Sequence, residues 1–337
     1  MLPFIDEILN YDSLSIVGLE KNTGKTETLK YVLDRLPLEL KKVAVTSIGI
    51  DGESVDQVTR TQKPEIVLRE GMFFGTSETH YRQKRLVSEI VEVSNERTSL
   101  GRVITARALT RGKVLLSGPS SSAGLRRWMR EMSRHLIDLV VIDGALSRLS
   151  SASPAVSRSM ILATGAAFSA NIQTLVQKTA HVVSLVNMDL TCPENRTLLS
   201  PLEQGLWYID REGILHSLDM MSSLTGDIRF EGADTCRTLF VAGALVDSFL
   251  EKIRKNKDLR EVEIVVRDFT KIFASPRQIK LFTLGGGRIR VLQKSTLLAI
   301  TVNPTSPTGY SLDSEILCEK LREATHLPVY DLLKNPS

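Results

Sequence analysis

Several chemistries that declare themselves by composition are missing from this 337-residue chain. It holds only three cysteines, Cys192, Cys236 and Cys318, far apart and odd in number, which excludes a disulfide framework and a Cys-x-x-Cys metal site. A reducing cytoplasm is the compartment this usage predicts. His135, His181, His216 and His326 have no carboxylate or cysteine at ligand spacing, so a zinc site is not expected. His80, in FFGTSETH, reads as a structural histidine or as part of a switch loop. No uninterrupted apolar run reaches membrane-spanning length, and the opening MLPFIDEIL carries no basic leader, so neither an anchor nor a signal peptide is expected. Nor does one charge dominate. The 43 Lys and Arg are scattered among 39 Asp and Glu for a net charge of +4, which gives no nucleic-acid footprint.

What the chain does have is a succession of short apolar runs. LSIVG, KKVAVTSIGI, KVLLSG, LIDLVVID and HVVSLVN occupy the first 190 residues or so, separated by stretches long enough for crossover helices. Continuous runs, as opposed to alternating ones, mark strands buried on both faces, so the pattern predicts an α/β domain built on a doubly wound, mostly parallel sheet. Leu29, Val32, Leu33 and Leu36 follow at helical spacing before Pro37 stops them. From 191 to 235 the texture becomes loop-like, with GLWYIDREGILHSLD reading as a hairpin turning at Asp210 to Gly213. Residues 236–337 are expected to form a second, smaller α/β domain: LFVAGALVDSFLEKIRK helix-like, EVEIVVRD, GGGRIRVLQ and STLLAITVNP as strands, and a closing helix around SLDSEILCEKLREAT. NPTSPTGY, at 303–310, follows a strand and could reach a ligand or partner, though its proline and glycine are adequately explained as a loop; Gly285, Gly286 and Gly287 read as a turn.

The stretch LSIVGLEKNTGKTETL places Gly-Lys-Thr between an apolar strand and an amphipathic helix. That arrangement aims backbone N–H groups and the helix dipole at an anion. It resembles the Walker A loop of P-loop NTPases. The resemblance implies that Gly18, Glu20, Lys21, Asn22, Thr23, Gly24, Lys25, Thr26 and Glu27 surround a nucleotide, ATP or GTP. Lys25 would reach the β- and γ-phosphates and Thr26 would ligate Mg2+. One departure stands out: Gly18 and Gly24 enclose five residues where the pattern has four, and Leu19 takes the place of the first glycine.

A second carboxylate for the metal is offered by LIDLVVIDGALSR, where four apolar residues lead into Asp143 as in a Walker B element; the alternative is that Asp143-Gly144 only starts a turn. Asp138 lies earlier in the same run, away from the expected site. Asp51, in IGIDGES, either orients water for catalysis or forms a turn with its glycine. Ser117, Gly118, Ser120 and Ser121 either line the same sheet edge or cap a helix. Lys63, Arg148 and the segment SSASPAVSRS read as a flap or as solvated loops. Asn-Lys-x-Asp, the guanine-reading motif, is absent, with Asn187-Met188-Asp189 its nearest echo, so ATP and GTP are not separated.

The first domain is similar to the P-loop group that includes the molybdopterin-guanine dinucleotide biosynthesis B protein and dethiobiotin synthetase. VGLEKNTGKTETL, TSIGIDGE, VVIDGALSRLSSASPAVS and ILATGAA together resemble a smaller family found beside adenosylcobalamin-dependent aminomutases, the B subunits of the lysine 5,6-aminomutase reactivase. That resemblance implies a second ATPase subunit and a cobalamin-dependent aminomutase as partners, with nucleotide turnover releasing a spent cofactor. A nucleotide-binding scaffold that does not hydrolyse, and a small-molecule kinase or ligase, are the other functions these residues allow.

Overall fold

A computed structural model describes residues 2–48, 64–145, 153, 156–220, 222–223 and 233–334. Asp51, Lys63, Arg148 and half of SSASPAVSRS lie outside the described residues. No helix among the described residues is long and apolar enough to cross a membrane.

The described chain is mixed α/β and divides into two compact units, 1–180 with 295–337, and 181–294. In the first, helix α1 (Phe4–Ile8) precedes β1 (Ser13–Gly18), α2 (Lys25–Arg35) and β2 (Val43–Ser47). Then come β3 (Ile66–Leu68), β4 (Phe73–Ser77), α3 (Glu78–Arg82), β5 (Ser88–Thr98), β6 (Gly101–Ala108) and β7 (Gly112–Val114). Helix α4 (Ser122–Arg134), β8 (Leu139–Ala145) and β9 (Ser159–Gly165) follow, and α5 (Ile172–Val186) contains the division at 180/181. The second unit holds α6 (Pro193–Leu199), β10 (Leu206–Asp210), β11 (Leu215–Ser217), β12 (Cys236–Val241), α7 (Asp247–Lys255), β13 (Glu263–Val266), α8 (Pro276–Leu284) and β14 (Arg288–Val291). The chain then returns to the first unit as β15 (Thr296–Asn303), α9 (Ser314–Thr325) and β16 (Val329–Asp331).

A nine-stranded sheet in the order β16-β15-β9-β1-β8-β2-β4-β6-β5 carries the first unit. Every junction from β16 to β4 is parallel, and only β4–β6 and β6–β5 are antiparallel. Strands β1, β2 and β9 are buried along their whole length, with small hydroxyl residues such as Ser15, Thr46 and Ser159 among the apolar ones, because both faces are covered. Val45 and Val141 enter the same cluster as Leu29, Val32 and Leu33 of α2, whereas Ala44, Val140 and Ile142 join Leu125, Trp128 and Met132 of α4. Trp128 is held by its indole N–H donating to Thr105 Oγ1 at 2.8 Å, and it packs where only a glycine, Gly75, leaves room on β4.

Several segments differ from the sequence reading. KVLLSG is not a third parallel strand of the main sheet: its first part, β7, pairs antiparallel with β3 in a separate two-stranded sheet. HVVSLVN is the second half of α5, in which Leu175, Thr179, Val183 and Val186 are buried at helical spacing, so its β-branched residues obey the period set upstream. LFVAG is strand β12, whose Leu239 and Val241 enter one cluster while Phe240 enters another, the signature of a strand covered on both faces. Residues 295–337, expected within the smaller domain, belong to the first unit: β15 pairs with β9 from Thr296 opposite Ser159 to Asn303 opposite Gly165.

In the second unit the five-stranded sheet runs β11-β10-β12-β13-β14. The hairpin β10–β11 turns at Asp210, whose Oδ1 accepts from the amides of Glu212 (2.9 Å) and Ile214 (2.8 Å) and whose Oδ2 contacts His216 Nε2 at 2.8 Å. The His216 ring stacks on Tyr208 with centroids 4.6 Å apart. The His216 hydrogen bond, then the Ile214 amide, hold the Asp210 carboxyl below its usual range. A depressed carboxyl stabilises the fold above its ordinary pKa and loses that contribution as pH falls through the folded value. Asp210→Asn is therefore expected to remove part of the acid loss: urea midpoints measured from about pH 7 down to about pH 3 should fall less steeply below pH ~4 in the variant than in the parent.

Candidate functional site at the carboxyl ends of the central strands

Parallel pairing aligns the strand ends in one row. Gly18 stands opposite both Ala145 and Ala163, Ser47 opposite Asp143, and Asn303 opposite Gly165. Open parallel sheets bind ligands in the crevice outside this edge.

The loop between β1 and α2 crosses that edge. Leu19, the residue in excess of the usual spacing, still donates its amide to Ala163 O at 2.9 Å and is buried, so it prolongs β1 and the free loop begins at Glu20. Glu20 and Lys21 are exposed, and the Lys21 amide donates to Glu20 Oε1 at 3.0 Å. Asn22 adopts the left-handed region at φ 62°, which asparagine tolerates better than most residues. The buried Thr23 turns inward, its hydroxyl donating to Glu20 O at 2.8 Å. A Cβ on Gly18 would lie 2.9 Å from that hydroxyl, so the absence of a side chain at Gly18 is what lets Thr23 tuck under the loop.

Gly24, at φ 92°, is the N-cap of α2 and offers its N-terminal amides no side-chain acceptor. In this α2 resembles α1, α6 and α7, whereas α3, α4, α8 and α9 are capped by the side chains of Ser77, Ser121, Ser275 and Asp313. Uncapped amides at a helix start leave donors and the positive dipole end available to an anion. In the first turn, Thr26 is half-buried, and Glu27 is exposed and forms an ion pair with Lys30 at 2.8 Å.

Lys25 Nζ lies 2.8 Å from Asp143 Oδ1, each side chain about a quarter exposed. The ammonium approaches outside hydrogen-bonding geometry, and the buried Oδ1 has no hydrogen-bond donor among the described residues. Lys25 reaches it because β1 and β8 are neighbours with Ile16 opposite Asp143. At the far end of the same stretch, Asp138 Oδ2 accepts from the Lys42 amide at 2.8 Å, remote from this edge.

Ser121 is a helix cap, accepting from the Gly124 amide at 3.0 Å. Gly118 donates to Ser47 O at 2.9 Å beside β2, where a Cβ would collide with Thr46 Oγ1. Ser117 sits in a buried polar cluster, its Oγ 2.7 Å from both His80 Nδ1 and Ser77 Oγ and 3.1 Å from the Ser77 amide donating to it. His80 is thus a buried structural residue of α3. Asp189 pairs with Arg290. Burial pushes the Cys236 thiol up to about 12, which removes it as a nucleophile. Among the described residues no group of three or more His, Cys, Asp or Glu side chains gathers to hold a metal ion. A single carboxylate, with Thr26 nearby at the start of α2, is a donor set that suits magnesium, which keeps several of its waters.

Sequence reading overlooked Asn303. Its Nδ2 donates to Asn22 O at 3.0 Å, and its Cβ lies 3.0 Å from where a Cβ on Gly24 would stand. The available signal was a polar side chain closing the buried run LLAITV, as Asp143 closes LVVI.

Comparisons with protein-family models, with curated proteins and with solved structures give no match.

Gly24 and Gly71 share a positive φ, 92° and 87°, but a Cβ on Gly71 would meet nothing within 4 Å. Both alanine variants should lose about 1–2 kcal/mol to left-handed strain. Gly24→Ala should lose more, because its methyl meets Asn303, and paired denaturant titrations read the difference.

Proposed function

We propose that this chain is a magnesium-dependent nucleotide-binding protein of the P-loop type, with a doubly wound first unit, that hydrolyses ATP or GTP. The observation that carries the reading is the contact of Lys25 with Asp143 at the uncapped start of α2. The pair is a charge-balanced resting arrangement. A magnesium nucleotide brings both opposite charges, phosphate for Lys25 and the cation for Asp143, so each partner exchanges one counter-charge for another without being left bare.

In this reading Lys25 and the amides at the start of α2 bind the β- and γ-phosphates and stabilise charge developing on the transferred phosphoryl group. Thr26 and Asp143 would hold Mg2+, which would supply positive charge to offset that of the phosphates. Asp51, outside the described residues, is the group assigned to orienting water. Asn22, Thr23 and Gly24 set the loop's curvature. Glu20, Lys21 and Glu27 flank it from exposed positions.

The segments quoted above also support a role as the B subunit of a reactivating factor. Its partners would be a second ATPase subunit and an adenosylcobalamin-dependent aminomutase.

Calorimetry with Mg-ATP and Mg-GTP tests the core of the proposal. The parent is expected to bind one of them. Lys25→Ala is expected to bind at least about tenfold more weakly, the scale of a lost charged hydrogen bond. No binding by the parent at millimolar nucleotide would sink it. Asp143→Asn should retain nucleotide binding with a weakened dependence on magnesium, read by repeating the titration in EDTA. Phosphate release without another acceptor identifies hydrolysis; binding without release identifies a scaffold, and a phosphorylated small molecule a kinase.

A further inference from the structure

Strand β15 ends at Asn303, on the loop that the nucleotide reading makes a phosphate cradle. We infer that Asn303 is the positioning residue of that cradle; the inference rests on the nucleotide reading of the same site. The amide of Asn303 bridges two chain segments 281 residues apart. Its Nδ2 donates to Asn22 O at 3.0 Å, and its Oδ1 accepts from the Thr305 amide at 3.1 Å. The bond to Asn22 falls on a residue in the left-handed region, immediately before Thr23 and the left-handed Gly24. A non-glycine residue at positive φ is an energetically raised conformation that persists only when its surroundings impose it. Asn303 imposes it through its bond to Asn22 O, and the neighbouring Thr23 through its bond to Glu20 O.

The clamp is itself fixed. Asn303 O accepts from the Ala166 amide at 2.9 Å, across from Gly165, where a Cβ would lie 2.1 Å from that same oxygen. Tyr310, at the end of NPTSPTGY, donates its hydroxyl to Ala166 O at 2.6 Å and ties the 303–310 loop to the end of β9. One turn into α2, Thr28 Oγ1 meets Thr301 Oγ1 at 2.8 Å in a buried contact, so β15 grips the helix as well as the loop. The role of NPTSPTGY is therefore to hold the amides of residues 22–26 in a preformed array, so that a polyphosphate meets donors already oriented. Preorganisation of this kind acts on the phosphates alone and is indifferent to the base.

Two measurements decide it. In the ligand-free protein, Asn303→Asp keeps the side chain's shape and the acceptor for Thr305 but removes the donor to Asn22. Amide exchange in peptides spanning 19–28 should speed up about fivefold, the factor expected of one net hydrogen bond, with the melting temperature little changed. Unchanged exchange there overturns the clamp, whatever the protein binds. In binding titrations, Asn303→Ala should weaken Mg-ATP about tenfold and inorganic tripolyphosphate by the same factor. Equal affinities of variant and parent overturn the inference, as does a loss confined to the nucleotide, which would make Asn303 a base contact. A parent that binds neither ligand ends the nucleotide reading and this inference with it. That result is told apart from failure of the clamp alone, because it appears in the unmutated protein.

Discussion

The parallel ladder between Ser13–Gly18 and Leu139–Ala145 is the constraint on which the rest of the site depends. Parallel neighbours finish on the same edge of a sheet, and a strand covered on both faces can bury a small hydroxyl such as Ser15 but leaves a charged group only its ends. Asp143 is the first charged residue after four apolar ones, and the face it shares with Val141 is the face on which α2 packs. Lys25, the first residue of α2, therefore meets it across one strand spacing. Had another strand been inserted between β1 and β8, the two charges would stand apart by a further strand width of about 4.8 Å.

The same geometry accounts for the unusual loop. Five residues separate Gly18 from Gly24, but hydrogen bonding to Ala163 withdraws Leu19 into the strand, so the segment free to curve begins at Glu20. Its curvature is then fixed by positive φ at Asn22 and Gly24, an inward Thr23, and the amide of Asn303. Each of these uses a residue type suited to it: asparagine and glycine for left-handed backbone, a small hydroxyl for the inward bond, an amide for a simultaneous donor and acceptor.

Much of the central architecture was legible in sequence because burial on both faces leaves a short, largely apolar run with no charge inside it. LSIVG, VAVTS and LVVID became strands, and the helix marked by Leu29, Val32 and Leu33 begins at Lys25. What misled were segments whose period is set outside the window. HVVSLVN looks like a strand until joined to the Ile172–Lys178 half of its helix, and LFVAG looks helical when read together with α7. Strand order was hidden for a different reason. Nothing local in LLAITVN says that it pairs with β9, more than a hundred residues earlier, because register is settled by which edge remains open. Asn303 was illegible on the same account: its partner at Asn22 is chosen by topology and not by any nearby motif.

Because β15 lies beyond the whole of the 181–294 unit in the chain, synthesis completes that unit before the large sheet can close. At about 5–20 residues per second, the edge of β9 that β15 will cover stays unpaired on the ribosome for several seconds at least. A bare, apolar parallel edge is a template for wrong partners during that interval. The cost of interrupting one domain with another thus falls on the nascent chain, as a window in which chaperone occupancy matters most.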